Sequence, residues 1–195
     1  MSLRPDLAII AQNVTEGARV LDIGCGDGEL MAELRDQRRV DARGLEIDAR
    51  NVSLAVARGL SVIQGDADAD LVYYPDRAFD YAILSQTLQT ARAPDKVLTE
   101  LLRIGDRAFV SFPNFAYWKV RWGLFWGGRM PVTAALPVSW YETENIHQLT
   151  IDDFRAFVTE RGLIVEGAWF LTGDKRISSA AANLRAEHAV FLLRR

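Results

Sequence analysis

The sequence predicts one α/β domain built on a mostly parallel sheet. Short apolar runs typical of strands alternate with amphipathic stretches typical of helices, which is the pattern of a parallel sheet covered by helices in a three-layer arrangement. The chain has 195 residues, a length that suits one domain. No segment has the composition of a linker between domains, so we expect a single domain over residues 1–195.

The predicted elements follow one another regularly up to residue 112. Strands are predicted at 19–23, 42–47, 60–63, 79–84 and 107–112. Helices are predicted at 29–38, 51–58 and 94–104. Pro94 suits the first turn of the last helix, because the N–H that proline lacks would have no partner there.

The alternation breaks at residue 113 and resumes at Thr150. The segment 113–148 has no strand pattern and contains four of the five tryptophans, so we interpret it as an aromatic-rich insert or cap. Thr150 and Asp153 have the spacing of a capping box, which predicts a helix to about Arg161. The apolar runs at 164–171 and 187–193 then predict late strands that form an antiparallel pair.

Composition and charge restrict the class of function. The formal net charge of −3 lacks the basic excess that nucleic-acid phosphates require, so nucleic acid is not an expected partner. No apolar run approaches the roughly 20 residues of a transmembrane helix, and no secretory signal is recognisable, so we expect a cytoplasmic protein without membrane contact. One cysteine and two distant histidines predict no metal site.

The clearest local signal is the loop after the first strand, VLDIGCGDG at 20–28. Gly24, Gly26 and Gly28 permit a tight turn and a close approach of backbone to a ligand, and the helix that follows presents free N–H groups. Open α/β sheets bind ligands at this position, beyond the carboxyl end of a strand. The spacing differs from the Gly-x-Gly-x-x-Gly of dinucleotide sites, which disfavours NAD.

Two acidic residues follow strands at the positions where a nucleoside would need them. Glu46 and Ile47 at the end of the second strand are both candidate cofactor residues, and the Glu46 carboxylate can accept hydrogen bonds from ribose hydroxyls. Asp66 follows the third strand and can accept a hydrogen bond from an adenine amino group, while the backbone N–H of Ala67 can donate to the ring. Asp48 is better explained as the N-cap of a helix.

These features resemble the class I S-adenosylmethionine-dependent methyltransferases. Their three-layer Rossmann-like fold has a mostly parallel sheet with a late antiparallel strand. The resemblance implies S-adenosylmethionine or S-adenosylhomocysteine as cofactor, with Glu46 at the ribose and Asp66 at the adenine. The methionine moiety would be held by Asp22, Gly24, Gly26 and Gly28.

Two further residues near this site have alternative interpretations. Cys25 lies within the loop and is better explained as a small residue packed under the turn than as a nucleophile, because no histidine pairs with it. Gln86 follows the fourth strand, and it could contact the cofactor or cap the next helix. No catalytic residue is identified, because methyl transfer from an activated sulfonium can proceed largely by positioning.

The aromatic residues of the insert recur at three- and four-residue spacing, which predicts a helix with one aromatic face, ended by Gly127 and Gly128. The face could be a lid packed on the sheet, a surface for a protein partner or a membrane-surface helix. Arg121 and Arg129 could hold an acidic substrate or be solvated charges. The candidate residues for a substrate or partner are Trp118, Arg121, Trp122, Arg129, Tyr141 and His147.

Several motifs resemble the methionine biosynthesis protein MetW family over nearly the whole chain. They are QGD at 64–66, LSQTLQ at 84–89, SFPNF at 111–115, GRMPVT at 128–133, WY at 140–141 and NIH at 145–147. The resemblance implies a role in methionine biosynthesis with the homoserine O-acyltransferase MetX as partner and this chain as accessory or regulatory subunit. The alternative is an independent class I methyltransferase acting on a small carboxylate or hydroxyl acceptor.

The chain departs from the family pattern at two places. The run ETEN at 142–145 replaces an expected Asp-Thr-Pro-Asn, and Ala116 with Tyr117 replaces Gly-His. The second change removes a polar contact that a histidine could make, so the resemblance assigns no catalytic role to that position.

Overall fold

A sheet of eight strands forms the centre of the computed structural model, which describes residues 3–134 and 136–195. The strands are β1 Arg19–Ile23, β2 Asp41–Glu46, β3 Ser61–Gln64, β4 Phe79–Ser85, β5 Gly105–Pro113, β6 Ile164–Thr172, β7 Lys175–Ile177 and β8 His188–Arg194. The helices are α1 Pro5–Asn13, α2 Glu29–Arg38, α3 Ala49–Ala57, α4 Ala67–Asp70, α5 Pro94–Ile104, α6 Trp118–Gly127, α7 Ile151–Glu160 and α8 Ala182–Arg185, with a 3-10 turn at Leu71–Tyr73.

The strand order is β3-β2-β1-β4-β5-β8-β6-β7. The first five strands in this order are parallel, whereas β8 pairs antiparallel with both β5 and β6, and β7 pairs antiparallel with β6. The predicted fold class is confirmed, including the late antiparallel pair. The order reverses between β1 and β4, so the carboxyl ends of these two strands border a crevice where α/β sheets bind ligands.

Apolar cores lie on both faces of the sheet, which explains why β1 and β4 are almost continuously apolar. One core contains α5 and α7 residues such as Leu101 and Phe154, and the other contains α1 and α2 residues such as Ile10 and Leu34. Within the described residues, no helix has the length and apolar character needed to cross a bilayer.

The observed element boundaries differ from the predicted ones by one or two residues in most cases, and Ile47 lies just outside β2. The N-cap at Asp48 is confirmed, since its side chain accepts a hydrogen bond from the Arg50 N–H. The capping box of Thr150 and Asp153 is also confirmed. Helices α1, α4 and α8 and strand β7 are additional elements that the sequence analysis did not predict.

The insert contains α6, which is followed by Gly128 in a left-handed conformation, as the glycine pair predicts. Phe115 precedes the helix and packs against a small cluster of Tyr117, Val120 and Leu136. Only Val120 of α6 is buried, so most of the helix surface is not covered by the rest of the chain.

Candidate functional site

The glycine loop turns sharply between β1 and α2. Gly24, Gly26 and Gly28 have φ angles of 70°, 57° and 81°, which L side chains rarely adopt. A Cβ atom at Gly24 would overlap Thr87, and one at Gly28 would overlap Leu60. A Cβ at Gly26 would meet nothing within 4 Å, so within the chain itself only the backbone conformation favours glycine at this position.

Hydrogen bonds fix the loop to the end of β2. The Gly24 N–H donates to the Leu45 carbonyl at 2.7 Å, and the Gly26 N–H donates to Glu46 Oε2 at 2.8 Å. Glu46 Oε1 accepts a second bond, 2.9 Å long, from the Asp48 N–H. Glu46 is therefore a buried carboxylate that orders the loop from below, at the position predicted for contact with a ribose.

Asp22 lies at the base of the loop with only 2% of its surface exposed. Burial raises the pKa of this carboxyl to about 7; the nearby Glu46 charge adds to the increase, and Arg4 opposes it. No described residue donates a hydrogen bond to the Asp22 side chain, although buried carboxyls usually have such donors. A cationic group of a ligand would stabilise its charged form.

A cavity of about 350 Å³ lies beyond the ends of β1, β2 and β3. It is lined by four of the predicted cofactor residues, Gly24, Ile47, Asp66 and Ala67. We call it the cofactor cavity because the sequence predicts cofactor contacts for these four residues. The insert also contributes to it through Glu144 and Ile146, which the sequence reasoning did not assign to this site.

Asp66 has a structural task as well as a predicted binding task. Its Oδ1 accepts a hydrogen bond of 2.9 Å from the Asp68 N–H and so caps α4. Its other oxygen lies 3.8 Å from the Arg92 guanidinium, a loose and largely exposed pairing. One carboxylate oxygen thus remains available to a ligand in the cofactor cavity.

Cys25 packs with Met31, Ala55 and Leu60 beneath the loop. Burial raises the pKa of its thiol far above the ordinary range, and the charges of Asp22 and Glu46 add to the effect. A thiol that stays protonated is a poor nucleophile, which supports the packing interpretation.

Gln86 has a left-handed backbone with φ of 53° and directs its amide towards Asp6, with 3.3 Å between Nε2 and Oδ2. It does not cap the next helix, since α5 begins at Pro94. It borders a second cavity, described below, rather than the cofactor cavity.

A buried polar cluster surrounds Asp6, and sequence reasoning missed it. Asp6 Oδ2 accepts hydrogen bonds from Ser111 Oγ at 2.9 Å and from Ser85 Oγ at 3.1 Å, and Oδ1 lies 3.3 Å from Arg4 Nε. Burial acts to raise the pKa of Asp6, but Arg4, Ser111, His188 and Ser85 together outweigh it, so the pKa is lowered. The cluster joins the start of α1 to the carboxyl ends of β4 and β5.

The second cavity, of about 360 Å³, lies between the carboxyl ends of β4 and β5 and the insert. We call it the insert cavity. Of the predicted site residues, only Gln86 lines it. His147 lines a separate groove beside Phe154, and the Arg121 guanidinium donates to the Ala116 carbonyl at 2.6 Å. The structure therefore does not gather the predicted substrate or partner residues into one pocket; outside both cavities lie Trp118, Arg121, Trp122, Arg129, Tyr141 and His147.

Helix α6 presents four exposed aromatic side chains, which we call the aromatic surface: Trp118, Trp122, Phe125 and Trp126. Trp122 is 62% exposed and Phe125 is 79% exposed. The ring of Trp126 lies 5.6 Å from that of Trp122 and 5.3 Å from that of Phe125. Contiguous exposed apolar surface of this kind marks interaction sites.

Comparisons with known proteins agree with this architecture. The family model described as methionine biosynthesis protein MetW matches residues 4–193. The bifunctional methionine biosynthesis protein MetXA/MetW of Rhodopirellula baltica is 33% identical over 207 residues, which include all of this chain and 33% of that protein. A fatty-acid O-methyltransferase of Mycolicibacterium smegmatis is 34% identical over 99 residues, 48% of this chain and 35% of that enzyme. The chain thus spans about a third of the length of these curated relatives.

Solved structures share the fold at low sequence identity. A chain of the complex between the Haloferax volcanii Trm112 methyltransferase activator and the putative methyltransferase superposes with a TM-score of 0.71 at 18% identity, covering 97% of this chain and 88% of that one. A TehB-like SAM-dependent methyltransferase from Corynebacterium glutamicum has a TM-score of 0.65 at 19% identity, covering 100% of this chain and 89% of the other.

Proposed function

Because the chain belongs to the MetW family of methionine biosynthesis proteins, we propose that it binds S-adenosylmethionine or S-adenosylhomocysteine as accessory or regulatory subunit of a MetX homoserine O-acyltransferase. The observation that supports cofactor binding most directly is the burial of the Asp22 carboxyl at the base of the glycine loop, where none of the described residues donates a hydrogen bond to it. A role in methionine biosynthesis also supports a cytoplasmic location.

The residues present fit this cofactor. Asp22 would accept hydrogen bonds from the ammonium group of the methionine moiety, and the loop glycines would let the protein backbone approach that moiety closely. Each oxygen of Glu46 accepts one backbone N–H, which leaves lone pairs for ribose hydroxyls. Asp66 would accept a hydrogen bond from the adenine amino group through Oδ2, the oxygen that does not cap α4. When bound, S-adenosylmethionine supplies a sulfonium-activated methyl group.

The partner part of the proposal is supported by the Rhodopirellula baltica relative, whose name joins MetXA and MetW in one protein. It is also supported by the aromatic surface, since tryptophan and phenylalanine are enriched at protein interfaces and tryptophan is a frequent hot-spot residue. Lys119 and Arg121 flank these rings on α6 and add a positive rim. We therefore assign the aromatic surface to contact with the acyltransferase.

An independent O-methyltransferase is the second candidate. It is favoured by the similarity to the Mycolicibacterium smegmatis enzyme, which covers 48% of this chain. Transfer of a labelled methyl group from S-adenosylmethionine to a carboxylate or hydroxyl compound in a cell extract would support it. Absence of any labelled product, with cofactor binding intact, would exclude it in favour of the accessory subunit.

Calorimetric titration of S-adenosylmethionine and S-adenosylhomocysteine into the protein, with and without the acyltransferase, tests the proposal. We expect dissociation constants in the micromolar range, lowered when the acyltransferase is present. Failure to bind either ligand would refute the cofactor part. Binding that does not change with the acyltransferase would refute regulation and favour an independent enzyme.

A further inference from the structure

The insert cavity is rich in hydrogen-bond acceptors and carries negative charge. Its polar lining includes Gln86, Gln89, Asn145 and the carboxylates of Glu142 and Glu144. None of the described residues that line it is a lysine, an arginine or a histidine. The field inside the cavity therefore favours a cation and opposes a carboxylate.

Gln89, which lines the insert cavity, has a buried hydrogen-bond acceptor without a partner among the described residues. The side chain is 97% buried, since only 3% of Gln89 is exposed, and its Nε2 donates to the Gln86 carbonyl at 2.8 Å. A carbonyl only accepts, so the amide nitrogen must face it and the orientation of the amide is fixed. The remaining atom, Oε1, is buried and has no hydrogen-bond partner among the described residues.

The two carboxylates are not neutralised by ion pairs within the described residues. Glu142 accepts a hydrogen bond from Ser139 Oγ, and Glu144 belongs to the walls of both the insert cavity and the cofactor cavity. Trp140 also lines the insert cavity, and the face of an indole ring attracts cations. An apolar wall completes the site, formed by Pro113, Phe115, Met130, Pro131 and Leu136.

We propose that the insert cavity is a binding site for a small cationic amine. The ammonium group is received by Glu142, Glu144 and Gln89 Oε1, and the hydrocarbon part lies against the apolar wall. The site goes beyond the proposed function, because it needs neither the cofactor nor the acyltransferase. Since Thr90 and Glu144 line both cavities, the amine lies beside the position of the cofactor.

The test compares three probes of equal chain length, n-hexylamine, 1-hexanol and hexanoate, with the full chain in the absence of cofactor. Binding is measured by saturation-transfer NMR and calorimetry. We expect n-hexylamine to bind roughly tenfold or more tightly than the other two, and its affinity to fall as salt is added. Equal binding of 1-hexanol, or tighter binding of hexanoate, would overturn the proposal.

Variants locate the site. We expect the double variant Glu142→Gln/Glu144→Gln to bind n-hexylamine roughly tenfold more weakly. Glutamine has nearly the same shape as glutamate and keeps an acceptor oxygen, but it carries no charge. Glu160→Gln, an exposed charge change on α7, should leave the affinity unchanged. Gln89→Leu removes the buried acceptor, and its fold is checked by thermal unfolding. Full amine affinity in the double variant would overturn the assignment, whatever the result of the cofactor titration.

Discussion

The carboxylate of Glu46 and the backbone N–H of Gly26 are joined by a hydrogen bond of 2.8 Å that connects the end of β2 to the middle of the glycine loop. The residue proposed to contact a ribose therefore also orders the loop that would hold the methionine moiety. Because Glu46 is buried, a change at this position should alter both the stability of the fold and the affinity for the cofactor.

We expect Glu46→Gln to lower the free energy of unfolding by about 1–3 kcal/mol, because an amide presents one donor where the carboxylate accepts two N–H groups. Urea unfolding measures this loss, and calorimetry should show at least roughly tenfold weaker binding of S-adenosylhomocysteine. Glu33→Gln on α2, which replaces a glutamate without a hydrogen bond to described residues, is the control. Unchanged stability in Glu46→Gln would contradict the structural role.

The loop glycines should differ in their tolerance of alanine. Gly28→Ala should cost roughly 2–4 kcal/mol, since it adds overlap with Leu60 to the strain of a positive φ. Gly26→Ala should cost only about 1–2 kcal/mol, because nothing lies within 4 Å of its Cβ. Thermal and urea unfolding of the two variants in parallel provide the comparison, and equal losses would argue against the packing described for Gly28.

Asp22 should make stability fall as the pH rises. Its ordinary pKa is 3.8 and its folded pKa is about 7, so between these values the folded chain keeps a proton that the unfolded chain has lost. Asp22→Asn stays neutral, and its unfolding free energy should therefore exceed that of the wild type by something on the order of 3 kcal/mol at pH 8, with little difference near pH 4. Urea unfolding between pH 4 and 8 measures the difference.

The same variant tests the ligand role of Asp22. The wild type should bind S-adenosylmethionine more tightly as the pH rises through 7 and release a proton on binding, because the ligand ammonium favours the ionised carboxyl. Asp22→Asn should bind weakly at every pH. Calorimetry in buffers of different ionisation enthalpy measures the number of protons released on binding. Binding without proton release near pH 7 would contradict a contact between Asp22 and the ligand ammonium.

Asp6 should have the opposite effect on stability. Its pKa is lowered in the folded chain, so its contribution is present above its ordinary pKa of 3.8 and is lost as the pH falls through the folded value. We expect Asp6→Asn to destabilise the fold by about 1–3 kcal/mol at pH 7, with a smaller loss near pH 3. A loss of the same size at both pH values would mean that charge is not what Asp6 contributes.

The aromatic surface should matter for association and not for folding. Replacing Trp122 and Phe125 by alanine should change the unfolding free energy by less than about 0.5 kcal/mol, because both side chains are exposed. The same change should weaken binding to the acyltransferase by roughly tenfold or more, measured by analytical ultracentrifugation. Tyr73→Ala, at a residue that is 81% exposed outside the insert, is the matched control.

The sequence places the predicted cofactor residues at one edge of the sheet because the relevant signals are local, although Asp22 and Glu46 are not among the residues that line the cavity. Asp22, Glu46 and Asp66 each lie at or just after a strand, and the carboxyl ends of neighbouring parallel strands must lie along one edge of the sheet. The strand pattern thus brings these residues together without knowledge of side-chain packing. The wall that Glu144 adds to the cofactor cavity has no such local signal.

Long-range contacts explain what the sequence did not reveal. Helix α1 had readable signals, with Pro5 in its first turn and an apolar run after it. The partners of Asp6 had none, since Ser85 and Ser111 are 79 and 105 residues away in sequence. For α6, the aromatic spacing predicted a helix, but a periodic pattern cannot indicate whether another element covers the face.

The position of β8 between β5 and β6 has a consequence for how the chain folds. Until residues 188–194 have been synthesised, the facing edges of β5 and β6 have no hydrogen-bonding partner within the sheet. Such unpaired edges can pair with other chains, so we expect the nascent polypeptide to be open to aggregation until this strand emerges. Pairing of β8 with β5 and β6 would thus also protect these two edges from other chains during synthesis.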